Sequence, residues 1–367
     1  MKTSKNYTIE RINSTDYYMI NKKGVKYLVE NNIRYMGSKN TDPILEDYNY
    51  PGTPTITDVL KFSDRKDFED WLAQRASHYT GDNPIQAKLN FQKKSDLLTQ
   101  LADDWMLNRD TSIYGDPRYL YESIHCGIYV SGEIHKSGSI GKWCEIDKLC
   151  KVFNLLKLNN KSLKIVDLGA GLGLTSIWMA YTMPNSTVYY LDASPESQSI
   201  VGDMCARGGI TNLKFIKSLS EINGEIDVAT GFEFVEHIED PIEKGVGKPF
   251  LGIDSVLNRI KDNGIFMYST MWNAEQNNGR TIGHFLTYDF DGKRLVMPAG
   301  KSDQRSRKHH RYFVEGLKKR NFHILNGGRR GTKWDFKGHT PYCFVKEVPK
   351  NENWQRVILL ITIYNIM

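Results

Sequence analysis

KIVDLGAGLG, residues Lys164 to Gly173, is the stretch on which the fold turns. An apolar run ends in a carboxylate, Asp167, and is followed by three glycines at alternate positions, Gly169, Gly171 and Gly173. The apolar run reads as a buried strand. Glycines at its end allow a tight turn and let the backbone come close to a ligand, and LTSIW then begins a helix. A strand that feeds a helix through a glycine turn is the first half of a strand–helix–strand unit.

The downstream sequence repeats that alternation. LTSIWMAYTM is the first helix, TVYYLDAS the second strand, and ESQSIVGDMCARGG the next helix. LKFIKS, IDVATGFEFVE and GIFMYSTMW supply strands three to five. RYFVEGLKKRN is a helix, with FHILNG and PYCFVKEV as two further strands. Strand, helix, strand at this spacing requires parallel pairing with crossover helices, and so an α/β doubly wound sheet.

Upstream the pattern differs. Residues 1–60 hold short aromatic and apolar stretches (YTIERI, DYYMI) punctuated by NKKG and YPGTPT, which predicts a small β-rich or irregular arm. From Arg65 the periodicity is helical: Phe68, Trp71, Leu72, Arg75 and Ala76 share one stripe of DFEDWLAQRASHY, and IQAKLNFQKKSDLLTQLADDWML continues in that style. A further helix is expected over Trp143–Leu158, with Ile146, Leu149, Cys150, Phe153 and Leu156 on one face. The expected organisation is a mainly helical N-terminal region over 1–160, an α/β domain over 161–349, and an extension over 350–367 packing on the body.

The 367 residues, 40% hydrophobic and 25% charged, have ordinary globular composition. Lys and Arg number 49 against 43 Asp and Glu, a net charge of +6 that permits an anionic substrate without demanding nucleic acid. The five cysteines are irregularly spaced, form no C-x-x-C pair and follow no secretory signal. They read as reduced thiols of a cytoplasmic protein, with no metal site expected. VILLITI at Val357–Ile363 is too short to span a bilayer, so no membrane segment is expected.

Two ligand classes compete for the glycine turn. A dinucleotide site prefers G-x-G-x-x-G, but Leu174 stands three residues beyond Gly171. Asp167, two residues before the first glycine, would oppose a pyrophosphate. S-adenosylmethionine has no phosphate; its sulfonium and α-amino group favour an acidic turn. A ribose diol needs a carboxylate at the end of the next strand, and Asp192 lies nineteen residues after Gly173. Asp192 is also a fitting turn or cap residue in DASPES.

VDLGAGLG, LDAS and FEFVEHIEDP together resemble the motifs of the class I S-adenosylmethionine-dependent methyltransferases. The last is similar to the LEH(V/I)-x-DP stretch of the ubiquinone and menaquinone biosynthesis group. The resemblance covers roughly Lys161 to Gly328. It implies a seven-stranded, Rossmann-like sheet whose last strand is antiparallel, with S-adenosyl-L-methionine as cofactor. By the same resemblance, Asp167, Gly169, Gly171 and Gly173 line the methionine end, Asp192 takes the ribose hydroxyls and Ala193 lies under the adenine. Ser218 and Leu219 occupy the place where an aspartate often holds the adenine amine, a departure that leaves recognition to backbone atoms. Phe232 and Glu233 border the reacting methyl.

Methyl transfer asks the protein for alignment and for removal of a proton. Glu233, Glu236 and His237 are the candidates, and His237 titrates in the useful range. The competing reading makes the EH pair a structural closure of the turn before IEDP. The long insert Asn273–Arg311 is placed over the acceptor in the resembling family, and Trp272 and His284 are assigned to the acceptor side. The insert carries Arg305 and Arg307 among five Lys/Arg between Lys301 and Arg311. GGRRGTKWDF adds Arg329, Arg330 and Trp334. These cations are either a solvated surface or a lid for an anionic acceptor.

The fourth strand is followed by GFEFVE, not the D/N-P-P-Y/F/W turn of amino methylation on nucleic-acid bases. The expected acceptor is therefore a small or carrier-linked metabolite. A nucleic acid or nucleotide is the alternative partner, and a non-catalytic S-adenosylmethionine-binding module the alternative class.

Overall fold

The computed structural model describes residues 7–11, 17–21, 26–29, 56–92, 119–131, 149, 153, 158, 160–235, 253–269, 313–314, 316–326 and 342–347. The chain divides into two units, one of residues 1–45 and 350–367, the other of residues 46–349.

In the first unit, β1 (Tyr7–Arg11), β2 (Tyr17–Asn21) and β3 (Lys26–Val29) form an antiparallel sheet in chain order. Tyr7 pairs with Asn21 and Tyr17 with Val29. The described strands of this unit form a three-stranded meander, and the rest of the β-rich or irregular arm expected over residues 1–60 lies, up to residue 55, outside the described residues.

The second unit is built on a seven-stranded sheet. Its strands are β4 (Lys164–Leu168), β5 (Thr187–Leu191), β6 (Leu213–Ile216), β7 (Ile226–Phe232), β8 (Ile260–Ser269), β9 (Phe322–Asn326) and β10 (Tyr342–Lys346). Their order is β6-β5-β4-β7-β8-β10-β9. The first five in the chain are mutually parallel, and β10 runs antiparallel between β8 and β9. The fold is the doubly wound α/β sheet expected, with its last strand reversed. β4 is buried from Ile165 to Leu168, as a central parallel strand covered on both faces must be. The order reverses direction between β4 and β7, which opens a crevice at the carboxyl ends of these strands.

α1 (Ile56–Val59), α2 (Arg65–Thr80), α3 (Pro84–Gln92) and α4 (Tyr119–Ser131) precede the sheet. α5 (Leu174–Thr182) and α6 (Pro195–Gly208) are the crossovers, and α7 (Asp254–Leu257) leads into β8. Leu149 and Phe153 are helical and buried, and the rest of Trp143–Leu158 lies outside the described residues, Leu158 apart.

The core on the β8–β10 side is aromatic. Tyr268 is fully buried, stacks with Phe266, Tyr342 and Phe344, and meets Phe313 edge to face. Phe313 and Leu317, from the helical segment before β9, close over it.

α2 begins at Asp64, whose carboxylate accepts the Asp67 N–H at 2.8 Å, and ends at Gly81 in the left-handed region. Its buried stripe is Phe68, Glu69, Leu72, Ala73 and Ala76, so the predicted stripe is rotated: Trp71 is half-buried and Arg75 exposed. Glu69 tolerates burial because Arg65 and Lys88 pair with it at 2.7 and 3.4 Å. Arg75 instead reaches Asp203 of α6 at 3.3 Å, and Tyr79 donates to Ser199 at 2.6 Å. Arg207 completes the attachment. Its guanidinium lies 4.0 Å from the Phe62 ring centre and donates to the Leu60 and Lys61 carbonyls. The N-terminal helices therefore pack on α6 within the same unit as the sheet.

Candidate functional site

The three glycines earn their positions through φ. Gly169, Gly171 and Gly173 have φ of 59°, 51° and 67°, a region side chains seldom occupy. Space reinforces the requirement at two of them. A Cβ on Gly169 would lie 2.1 Å from Cδ2 of Phe234, and one on Gly173 would lie 2.8 Å from Cγ2 of Val201. Gly173 is also the residue from which α5 starts, so backbone N–H groups of its first turn face the crevice.

Asp167, at the end of β4, is buried with both carboxylate oxygens satisfied inside the protein. Ser176 of α5 donates to Oδ2 at 2.5 Å and Thr230 of β7 to Oδ1 at 2.6 Å. Burial pushes this carboxyl up to about 6 against the pull of those two hydroxyls, and the charge of Asp192 acts in the same upward direction. Asp167 therefore places a buried negative charge behind the turn and ties β4, β7 and α5 together.

Asp192 directly follows β5 and binds the turn from the other side. Its Oδ2 accepts the Gly171 N–H at 2.7 Å and its Oδ1 the Ser194 N–H at 2.8 Å. Burial raises its pKa, opposed by backbone N–H groups of Ser194, Gly171 and Ala193. Ser194, not Asp192, caps α6 by accepting the Ser197 N–H at 3.1 Å. Each carboxylate oxygen of Asp192 retains a further lone pair for a ligand hydroxyl. Ala193 is exposed beside it.

The β6–β7 connection holds Ser218 and Leu219. Ser218 caps a short 3₁₀ helix, Leu219–Glu221, in a capping box with Glu221. Arg259 donates to the carbonyls of Leu219, Ile222 and Gly224 and so fixes the loop from below.

At the end of β7, Phe232 is buried and Glu233 adopts φ of 49°. The Glu233 N–H donates to both the carbonyl and the hydroxyl of Ser269, each at 3.1 Å. A glutamate in the left-handed region costs about 1 kcal/mol or more, and β8 holds it there. Next to it, Phe234 packs against Gly169.

The structure thus brings Asp167, the three glycines, Asp192, Ala193, Phe232 and Glu233 to one end of the sheet, with Ser218 and Leu219 on the neighbouring strand exit. Glu236, His237, Trp272, His284, Arg305, Arg307, Arg329, Arg330 and Trp334 lie outside the described residues. Among the described residues, no group of His, Cys, Asp and Glu is arranged to hold a metal ion. Likewise, no described helix is long and apolar enough to cross a membrane.

Several residues that shape the site carry little signal in the sequence. Thr230 and Ser176 were visible as polar residues in otherwise apolar runs. Phe234 belongs to GFEFVE. Tyr190 gave no sign beyond its strand position. α4 was the least visible, yet it lies directly on the turn. A Cβ on its Gly127 would meet Cβ of Leu172 at 2.6 Å, and a Cβ on Gly171 would come within 3.7 Å of the Ser123 carbonyl oxygen.

Residues 145–323 match the family model described as a methyltransferase domain. Ribosomal RNA small subunit methyltransferase G of Prochlorococcus marinus subsp. pastoris is 26% identical over 121 residues, 32% of this chain and 48% of that protein. The corresponding protein of strain MIT 9515 is 26% identical over 127 residues, 33% of this chain and 51% of that protein. The chain spans about half the length of these curated relatives. Among solved structures, magnesium protoporphyrin IX methyltransferase from Synechocystis aligns with a TM-score of 0.38 at 15% identity, over 68% of this chain and 97% of that one. Over residues 145–323, just under half of the chain, the sequence is thus similar to a methyltransferase domain, and the seven-stranded sheet begins within that stretch.

Proposed function

We propose that the chain transfers a methyl group from S-adenosyl-L-methionine to a small or carrier-linked metabolite. The observation that carries the donor half is the glycine turn with a carboxylate on either side, Asp167 behind it and Asp192 bonded to it. An acidic cradle suits a cationic ligand that has a ribose and lacks phosphate. The bound donor supplies an electrophilic methyl on its sulfonium. The chain's own residues hold and orient it: the glycine turn admits the methionine end, Asp192 accepts from the ribose diol, and Ala193 flanks the adenine. Ser218 and Leu219 border the adenine edge.

Phe232 and Glu233 stand where the acceptor would approach, and the strained backbone of Glu233 fixes the direction of its side chain. With Glu233, or His237 four residues further along the chain, as proton acceptor, the acceptor atom would lose its proton as the new bond forms.

The acceptor half rests on charge. Asp167, Asp192 and Glu233 surround this end of the sheet, and a phosphodiester at the turn would be repelled by them. A second reading, methylation of RNA, is favoured by the names of the two relatives, with the cations at Arg305, Arg307 and Arg330 as its basic surface. Non-catalytic binding is the outcome if the donor binds and no methyl is transferred.

Calorimetry with S-adenosylhomocysteine tests the donor site. Asp192→Ala should weaken binding about 10- to 150-fold, since hydrogen bonds to a charged group contribute about 1.5–3 kcal/mol. Absence of binding by the wild type overturns the reading. Labelled methyl donor with a cell extract then separates the acceptors: label in small-molecule or carrier fractions supports the first reading, and label lost to ribonuclease supports the second.

A further inference from the structure

Two side chains at the end of β5 reach the glycine turn from positions two apart, Tyr190 within the strand and Asp192 directly after it. They grip opposite ends of the same residue. The Tyr190 hydroxyl donates to the Gly171 carbonyl at 2.6 Å, and the Gly171 N–H donates to Asp192 Oδ2 at 2.7 Å. The Tyr190 ring is fully buried, edge to face with Phe215 at 5.2 Å. Its Cε2 lies 3.1 Å from where a Cβ on Gly173 would be, so the ring also fills the space beneath the end of the turn. Tyr190 stands opposite Asp167 in the β4–β5 register, which sets the phenol directly under the strand-to-turn corner.

We infer that Tyr190 is a positioning residue for donor binding: it clamps the Gly171 carbonyl so that the Gly171 N–H holds the Asp192 carboxylate in the orientation that receives the ribose. This rests on the donor site proposed above and adds a residue outside the glycine and acidic motifs. The two peptide units that flank the Gly171 Cα are each held by a side chain of this segment, which restricts rotation about φ and ψ of Gly171. With Oδ2 engaged by Gly171 and Oδ1 by Ser194, the carboxylate plane is fixed before any ligand arrives. Replacing the phenol by phenyl leaves the ring packing and frees the carbonyl end. The turn then samples other orientations, and the carboxylate follows its N–H.

The test is S-adenosylhomocysteine affinity in a double-mutant cycle on the full chain, with Tyr190→Phe and Asp192→Asn, and Tyr189→Phe as a neighbouring control. Loss of one net hydrogen bond implies about fivefold to tenfold weaker binding for Tyr190→Phe. Because the effect passes through the Asp192 carboxylate, it should shrink to about twofold or less in the Asp192→Asn background; a purely structural loss would be the same in both. Restoring a donor with 4-aminophenylalanine at position 190 should recover the affinity. Hydrogen exchange on the wild type reads the clamp without any variant, and the Gly171 amide should be protected with and without ligand.

Unchanged affinity of Tyr190→Phe, equal losses in both backgrounds, or rapid exchange of the Gly171 amide overturns this inference and leaves the donor site standing. If the wild type does not bind S-adenosylhomocysteine, the donor reading fails and this inference fails with it.

Discussion

Replacing Asp167 by asparagine should change how stability depends on pH, and the structure fixes both sign and size. The carboxyl ionises near 3.8 when exposed and at about 6 in the folded protein, because burial outweighs the hydroxyl hydrogen bonds from Ser176 and Thr230. Between these values the folded state keeps a proton that the unfolded state has released. Its contribution is therefore unfavourable to folding as pH rises, from about pH 4 until the cost is complete above about pH 6. The gap corresponds to about 3 kcal/mol, at 1.36 kcal/mol per tenfold change in proton affinity.

Asp192 is raised as well, so the wild-type profile alone mixes contributions. The difference between wild type and Asp167→Asn isolates one of them. Asparagine carries no charge at any of these pH values, and its amide nitrogen must face one of the two hydroxyls that now donate. That mismatch is a constant penalty of about 1–3 kcal/mol. Urea unfolding followed by circular dichroism at steps from about pH 4 to about pH 7 should show the variant less stable at the acid end. The gap should then close by about 3 kcal/mol toward neutrality. A difference that stays constant across this window would show that Asp167 is not the buried, destabilised carboxylate its surroundings require.

Three glycines give further tests. Gly169→Ala meets both a left-handed φ and Phe234 at 2.1 Å, whereas Gly81→Ala meets a φ of 77° with open space around it. Thermal or urea unfolding should show about 1 kcal/mol lost at Gly81 and at least about 2–4 kcal/mol at Gly169; equal losses would remove the steric argument. Gly127→Ala in α4 should destabilise even though alanine favours helix by about 1 kcal/mol, because the new methyl would sit 2.6 Å from Leu172 Cβ inside the glycine turn. A stabilised Gly127→Ala would mean that α4 does not press on the turn.

What could be read along the chain was whatever depends on neighbours in sequence. The glycine turn is legible because positive φ at Gly169, Gly171 and Gly173 is a local demand, and β4 because a central parallel strand is apolar on both faces. Asp192 announced itself by falling at the end of the next apolar run. The illegible part is made of partners distant in sequence. Asp167 looked like a charge waiting for a ligand, yet its oxygens are taken by Ser176 and by Thr230, 63 residues away. The stripe of α2 is rotated for the same reason: Glu69 is buried beside Lys88 of the next helix, a pairing no periodicity encodes.

The same limit explains α4. Nothing in YLYESIHCGIYVS indicates that Gly127 faces Leu172, since that glycine satisfies a close approach and not a backbone angle. Yet the contact changes what the N-terminal helices are. Tyr121 of α4 hydrogen-bonds Thr80 at 2.7 Å and also Asp82, which ties α4 to the end of α2, while α2 itself is anchored to α6 by Arg75 and Tyr79. The glycine turn is thus held on one side by β5 and on the other by a helix that is fixed in turn to the crossover after β5. A turn enclosed in this way can change shape only if α4 moves with it, so a mutation in α4 should be felt in the turn.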